Sequence, residues 1–165
     1  MTETPSLVTN WLAHLDQQGR STHTLKAYRR AWHHLADWYE THYDDDCDPT
    51  RLIGRDIRDW KSHQQTIEKA APSTINQRLV AISSFYSWAI GGDKVGRDPT
   101  QEISTIRLPQ RQPKSLSTKQ LRQLLRAVHH GGSLRAVAMI ELLVGTGLRV
   151  GELLQLQVDD LILRD

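Results

Sequence analysis

Arginines and lysines crowd one part of this sequence, and they are the side chains best placed to do chemistry. Between Glu102 and Glu141 there is no acidic residue, while Arg107, Arg111, Lys114, Lys119, Arg122, Arg126 and Arg135 all fall inside. A stretch of one sign suits a polyanion, and its plain alternative is a solvated face. Residues 1–50 lean the other way, with four basic side chains against eight acidic ones, so the net charge of +2 conceals a segregation. Other constellations offer less. Gly145-Thr-Gly-Leu-Arg-Val-Gly151 has the ring of a dinucleotide loop, but a helical apolar pattern precedes it and its third glycine is misplaced. The eight histidines include the pairs His33-His34 and His129-His130, yet no i, i+4 pair joins a glutamate, so they read as solvated or half-buried and no metal is expected. Cys47, the single cysteine, can form no internal disulfide and has no second thiol for a zinc cage.

The apolar spacing of the elements that carry these residues is helical almost throughout. Leu7, Val8, Trp11, Leu12 and Leu15 form one stripe, and Leu25, Tyr28, Trp32, Leu35 and Tyr39 form a second. A third runs Ile53, Ile57, Trp60, Ile67, and a fourth runs Ile75, Leu79, Ile82, Phe85, Tyr86, Ala89 and ends at Gly91-Gly92, where a left-handed cap is easy. Trp11, Trp32, Trp38, Trp60 and Trp88 fall mainly on these stripes and read as core rather than as platforms for stacked bases. Ser21 or Thr22 can cap the second helix, and Ser117 with Gln120 makes a capping box for Thr118–His129.

Two connections stand out. Asp44–Pro49 is an acidic turn, and Arg107–Ser117, with Pro109 and Pro113, is too proline-broken for helix and reads as a basic interdomain linker. The expected organisation is a four- to five-helix domain over 1–106, the linker 107–117, and the opening of a second domain over 118–165. That opening holds a capped helix, a helix apolar on all faces (Leu134–Val144) expected to be buried, a further helix from Leu148 to Leu156, and the start of a strand from Val158. A length of 165 residues allows one domain or two small ones, and no apolar run approaches the roughly eighteen residues of a membrane span. With no apolar leader at Met1–Leu7, a cytoplasmic location is expected.

Four segments, in order, carry a family resemblance. Thr146-Gly-Leu-Arg-Val-Gly-Glu-Leu153, followed by Leu156-Gln-Val-Asp-Asp160, resembles the first catalytic-arginine box of the tyrosine recombinases, the phage integrase family, in a Xer-like arrangement. Ser21-Thr-His-Thr-Leu-Lys-Ala-Tyr28 resembles the family's N-terminal helix start, Ser73–Tyr86 is similar to the last long helix of its core-binding domain, and Pro113–Leu121 resembles the opening of its catalytic domain. The implied fold is an all-α, SAM-like core-binding domain followed by the first helices of a truncated mixed α/β catalytic domain.

The resemblance implies a tyrosine hydroxyl that attacks a phosphodiester, leaves a 3′-phosphotyrosyl link and is reversed by a partner's hydroxyl, for DNA integration or recombination, with no cofactor. Charge then grows on non-bridging phosphate oxygens, and a guanidinium fork answers it better than a lysine point charge. Arg149 matches the family's first arginine, at a helix start where an anion is favoured, and Glu152, three residues on, can hold it in place. The family's lysine, His-x-x-Arg and nucleophilic tyrosine lie downstream of that arginine. The sequence stops sixteen residues beyond Arg149, and Tyr28, Tyr39, Tyr43 and Tyr86 all precede it, so the polypeptide by itself is not expected to cut DNA.

Double-stranded DNA is the implied partner, with self-association into a tetrameric synapse only for a full-length protein. Carried over by motif, the candidate contacts are Ser21, Thr24, Lys26, Tyr28 and Arg29, then Ser73, Thr74, Asn76, Gln77 and Arg78, with Arg111 and Lys114 tracking the backbone from the linker. Hydroxyls and cations go mainly to phosphates, whereas Asn76, Gln77 or Arg78 can reach base edges. Two other classes stay open: a non-catalytic DNA-binding regulator and a helical protein-interaction module. The branch, whether Xer resolvase, phage or integron integrase, or transposon recombinase, is open as well.

Overall fold

A computed structural model describes residues 5–109 and 115–160, and all regular structure among them is helical. The chain divides into two compact units, Met1–Gln110 and Arg111–Asp165.

The first unit holds α1 (Ser6–Gln17), α2 (Thr22–Tyr43), α3 (Gly54–Thr66) and α4 (Pro72–Gly91). Helix α2 packs along α4, and both α1 and α3 pack against that pair. The apolar stripes meet in one core in which Val8, Trp11, Trp32, Leu35, Ile57, Trp60, Ile82 and Phe85 are fully buried. Phe85 is its hub, edge-on to Trp11 with ring centroids 5.6 Å apart and to Tyr86 at 4.9 Å, and tilted against Trp32 at 5.0 Å. Edge-to-face pairs of this kind add about 0.5–1.5 kcal/mol each beyond the area they bury. Tyr86 donates its hydroxyl hydrogen to the Pro49 carbonyl at 2.8 Å, which ties α4 to the acidic turn between α2 and α3. Beside it Cys47 is buried, and its thiol is pushed up to about 12 by that burial.

Helix ends follow local chemistry. Ser21 caps α2 by accepting the Thr24 N–H at 3.2 Å, and Asp44 closes it in the left-handed conformation. Asp56 accepts the Ile53 N–H at 2.9 Å and so holds the start of α3. Two expectations are corrected here. Ile53 and Ile67 are 49% and 70% exposed rather than buried, because they flank α3 and escape the turn that carries Ile57 and Trp60 inward. At the end of α4 the left-handed residue is Asp93 (φ 52°), while Gly92 stays at φ −110° and donates back to the Trp88 carbonyl. The chain then continues over α3 and α4 as an extended strap through Ile103 and Ile106, both packed against the core.

The second unit holds α5 (Thr118–Gly131), α6 (Leu134–Thr146) and α7 (Val150–Leu153), then a single 3-10 turn at Val158–Asp160. The capping box at α5 forms, with Gln120 N–H on the Ser117 hydroxyl at 3.3 Å and Ser117 N–H on the Gln120 side chain at 2.9 Å. Ser133 caps α6, and Gly147 ends it at φ 71°, a conformation that favours glycine. Helix α6 corrects the expectation of burial. Leu134 is 90% exposed and no residue of α6 is buried, since α5 and α7 are the elements packed on it among the described residues. The helix expected over 148–156 shrinks to α7: Gly151 weakens it by about 1 kcal/mol relative to alanine, and Leu154, 64% exposed, finds nothing to bury against. The expected strand start at Val158 is a turn instead, because Asp160 accepts the Gln157 N–H at 2.9 Å and offers the backbone a local partner. Residues 161–165 lie outside the described residues.

Candidate nucleic-acid interface

In the first unit three of the α4 candidates, Thr74, Gln77 and Arg78, line a surface groove together with His23, Arg30, His33, His34 and Asp37 of α2. Lys26 and Arg29 are exposed on α2, and Ser73 is exposed on the first turn of α4. Ser21 and Thr24 are engaged with each other, hydroxyl to hydroxyl at 2.9 Å. Tyr28 is half-buried and its ring stacks on Trp11 at 5.5 Å, nearly parallel, so most of its surface serves the core. Asn76 faces the strap: its amide N–H donates to the Ile106 carbonyl at 2.8 Å, and its oxygen accepts the Ile106 N–H at 2.7 Å.

Arg78 belongs to a network that links three helices. Its guanidinium donates to the buried Gln64 side chain at 2.9 Å and to Glu68 at 3.2 Å. Glu68 also meets His34 Nε2 at 3.0 Å and His63 Nε2 at 3.6 Å. On its other nitrogen His34 faces the Trp60 indole at 3.0 Å. An indole N–H only donates, so Nδ1 of His34 accepts and the ring proton sits on Nε2, toward Glu68. Burial first, then the Arg78 guanidinium, push His34 below its ordinary 6.5, against the opposing pull of Glu68. The network therefore holds a neutral imidazole and fixes Arg78 at the rim of the groove.

His34 is half-buried, one of the two states expected of the histidines, whereas His23, Arg30, His33 and Glu68 are not among the candidates carried over by motif. A signal was present for part of this set: His23, Arg30 and the His33-His34 pair recur at seven, three and four residues, which puts them on one side of α2. Glu68 had none, since its partners come from α2, α3 and α4.

In the second unit Arg149 is the cap residue of α7. Glu152 accepts the Arg149 backbone N–H at 2.7 Å and its guanidinium at 2.9 Å. These two bonds, the backbone one first, hold the Glu152 carboxyl below its usual value. The Arg149 side chain remains 86% exposed. The proposed pairing of Arg149 with Glu152 is thus present in the geometry, although α7 is only four residues long. Arg111 and Lys114 lie outside the described residues. No helix among the described residues is long and apolar enough to cross a membrane.

Comparison identifies the class to which this four-helix unit and the helical unit bearing Arg149 belong. Residues 7–94 match the phage integrase N-terminal SAM-like domain, and residues 114–165 match the phage integrase family. The chain belongs to the phage integrase family of tyrosine recombinases. It is 31% identical over 90% of its length to tyrosine recombinase XerD of Listeria innocua serovar 6a and 35% identical over 86% to XerD of Ralstonia nicotianae, covering 50% and 45% of those proteins. The crystal structure of XerA recombinase aligns at a TM-score of 0.45 and 22% identity, over 97% of this chain and 52% of that one. The chain spans about half the length of the curated relatives it matches.

Proposed function

We propose that this chain is the DNA-binding portion of a site-specific recombinase, and that the first unit lays α2 and α4 against a duplex. The groove between these helices carries the reading: it gathers Arg30 and Arg78 with the polar Thr74 and Gln77, beside the exposed Lys26 and Arg29. Lysine, arginine and hydroxyl groups at such a surface position the protein on phosphates, and Gln77 is the exposed amide able to reach a base edge. In the whole protein, Arg149 meets the scissile phosphate, where its planar fork neutralises charge that grows in the transition state. Glu152 is its positioning residue. The cut and rejoining proceed through a 3′-phosphotyrosyl intermediate.

Affinity for a mixed-sequence duplex at two salt concentrations tests the first part. Binding is expected to be weak and to fall steeply with salt, with a log–log slope of about −0.9 per phosphate neutralised. No binding at low salt overturns the reading. For the second part, Arg149→Lys in the full-length protein is expected to abolish cleavage while duplex affinity stays within about twofold, because a point charge lacks the two-pronged contact; a variant that still cleaves at the wild-type rate excludes Arg149 from the site.

A further inference from the structure

The segment after α4 is anchored at every step. Thr100 is buried and gives both its N–H, at 2.7 Å, and its hydroxyl, at 2.6 Å, to Asp98. Ile103 N–H returns to the Thr100 carbonyl at 2.9 Å, and Lys61 of α3 reaches the Ser104 carbonyl at 2.6 Å. Asn76 of α4 then takes both backbone groups of Ile106, as a neighbouring strand would. Ile103 and Ile106 are half-buried against the core while Ser104 and Thr105 are exposed. Asn76 is the last of these anchors, and the basic linker begins at the next residue, Arg107.

We propose that Asn76 is a positioning residue: it fixes the point at which the chain leaves the first unit and thereby sets how far the second unit can reach along the same duplex. This rests on the DNA-binding reading above. An amide is the side chain for this task, since one planar group offers the acceptor and the donor that an extended residue requires. Carboxylate at the same place would set oxygen against the Ile106 carbonyl. Loss of the anchor moves the departure point from Ile106 back to Ser104, which Lys61 still holds, and lengthens the span to the Ser117 cap. Loop-closure scaling alone then lowers the effective concentration of the second unit at its own contacts about 1.3-fold, and more where the strap had also set a direction. The helix of Asn76 is one of the two that border the candidate groove, so the position of the linker is referenced to an element that also lies against the duplex.

The test uses the whole chain, as wild type, Asn76→Ala and Ile106→Pro, the last removing the N–H that Asn76 accepts without altering α4. Affinity is measured on a mixed-sequence duplex of about one helical turn, 10 base pairs, which holds one unit, and on one of about three turns. Hydrogen exchange of the peptide spanning 100–108 is followed in parallel. Both variants are expected to exchange faster at the strap, to match wild type on the short duplex, and to bind the long duplex at least about 1.3-fold more weakly. Equal loss on both lengths makes Asn76 a DNA contact or a folding residue and overturns the proposal, as does a long-duplex affinity equal to wild type or a strap that stays protected in Asn76→Ala. Failure of the underlying DNA reading is distinguishable, because the wild-type chain then binds neither duplex.

Discussion

Helices α4 and α6 are both rich in apolar residues, yet they end in opposite circumstances. In the first unit α4 buries Ile75, Leu79, Ala81, Ile82, Phe85, Tyr86 and Ala89 between α1, α2 and α3. In the second, α6 carries a longer apolar run of which no side chain is fully buried, Val137, Met139, Ile140, Leu142 and Leu143 being half-buried. The difference lies in what surrounds each helix, because hydrophobic stabilisation follows area removed from water and a helix cannot cover its own sides. The first unit is a finished core, and the second, among the described residues, is a layer whose sole buried apolar side chain is Leu153.

The most forceful way to break that comparison is to empty one site in each unit. Trp32→Ala removes a fully buried indole from beside Phe85 and is expected to cost the first unit about 3–5 kcal/mol, whereas Leu125→Ala on the half-covered face of α5 costs about 1 kcal/mol. Chemical denaturation of each variant checks this, and similar losses would mean that the second unit is as well packed as the first. Next comes the cap of α2, where Ser21→Ala is expected to cost about 1 kcal/mol in the same measurement.

A smaller effect sharpens the comparison by pH. His34 is held neutral in the folded first unit, with its proton affinity lowered. Above about pH 6.5 the ring is neutral in folded and unfolded chains alike; as pH falls below that value the unfolded chain takes up the proton first, so stability declines until the lower folded value is passed. The denaturation midpoint of the first unit between pH 8 and pH 5.5 is therefore expected to fall more in the wild type than in His34→Gln. The smallest effect belongs to Glu152→Gln, whose partner is exposed: no measurable shift in the second unit's midpoint is expected, so that loss of cleavage in a full-length Glu152→Gln enzyme reports on Arg149 placement rather than on folding.

What was readable in advance divides along the same physical line. The stripes of α1, α2 and α4 and the caps at Ser21 and Ser117 are legible in the sequence because period and capping depend on residues three or four apart. So is the pairing of Arg149 with Glu152. Asn76 is different: its partner, Ile106, lies thirty positions away, and an asparagine on a polar helix start looks the same whether it faces a base or a strap. Glu68 and His34 escaped for that reason too. The exposure of α6 was legible only indirectly, through the expectation that 118–165 holds just the opening of a second domain, since an apolar sequence states what it would bury against a neighbour and says nothing about whether the neighbour is there.

The buried thiol of Cys47 gives the finished unit an internal clock. Its sulfur is shielded beneath the turn that Tyr86 secures and is held in the unreactive protonated form, so an alkylating or disulfide reagent reaches it only when that turn lifts from α4. No other cysteine competes anywhere in the chain. The half-time of thiol labelling thus times the opening of the first unit alone, and does so with the second unit, the linker and any bound duplex left in place.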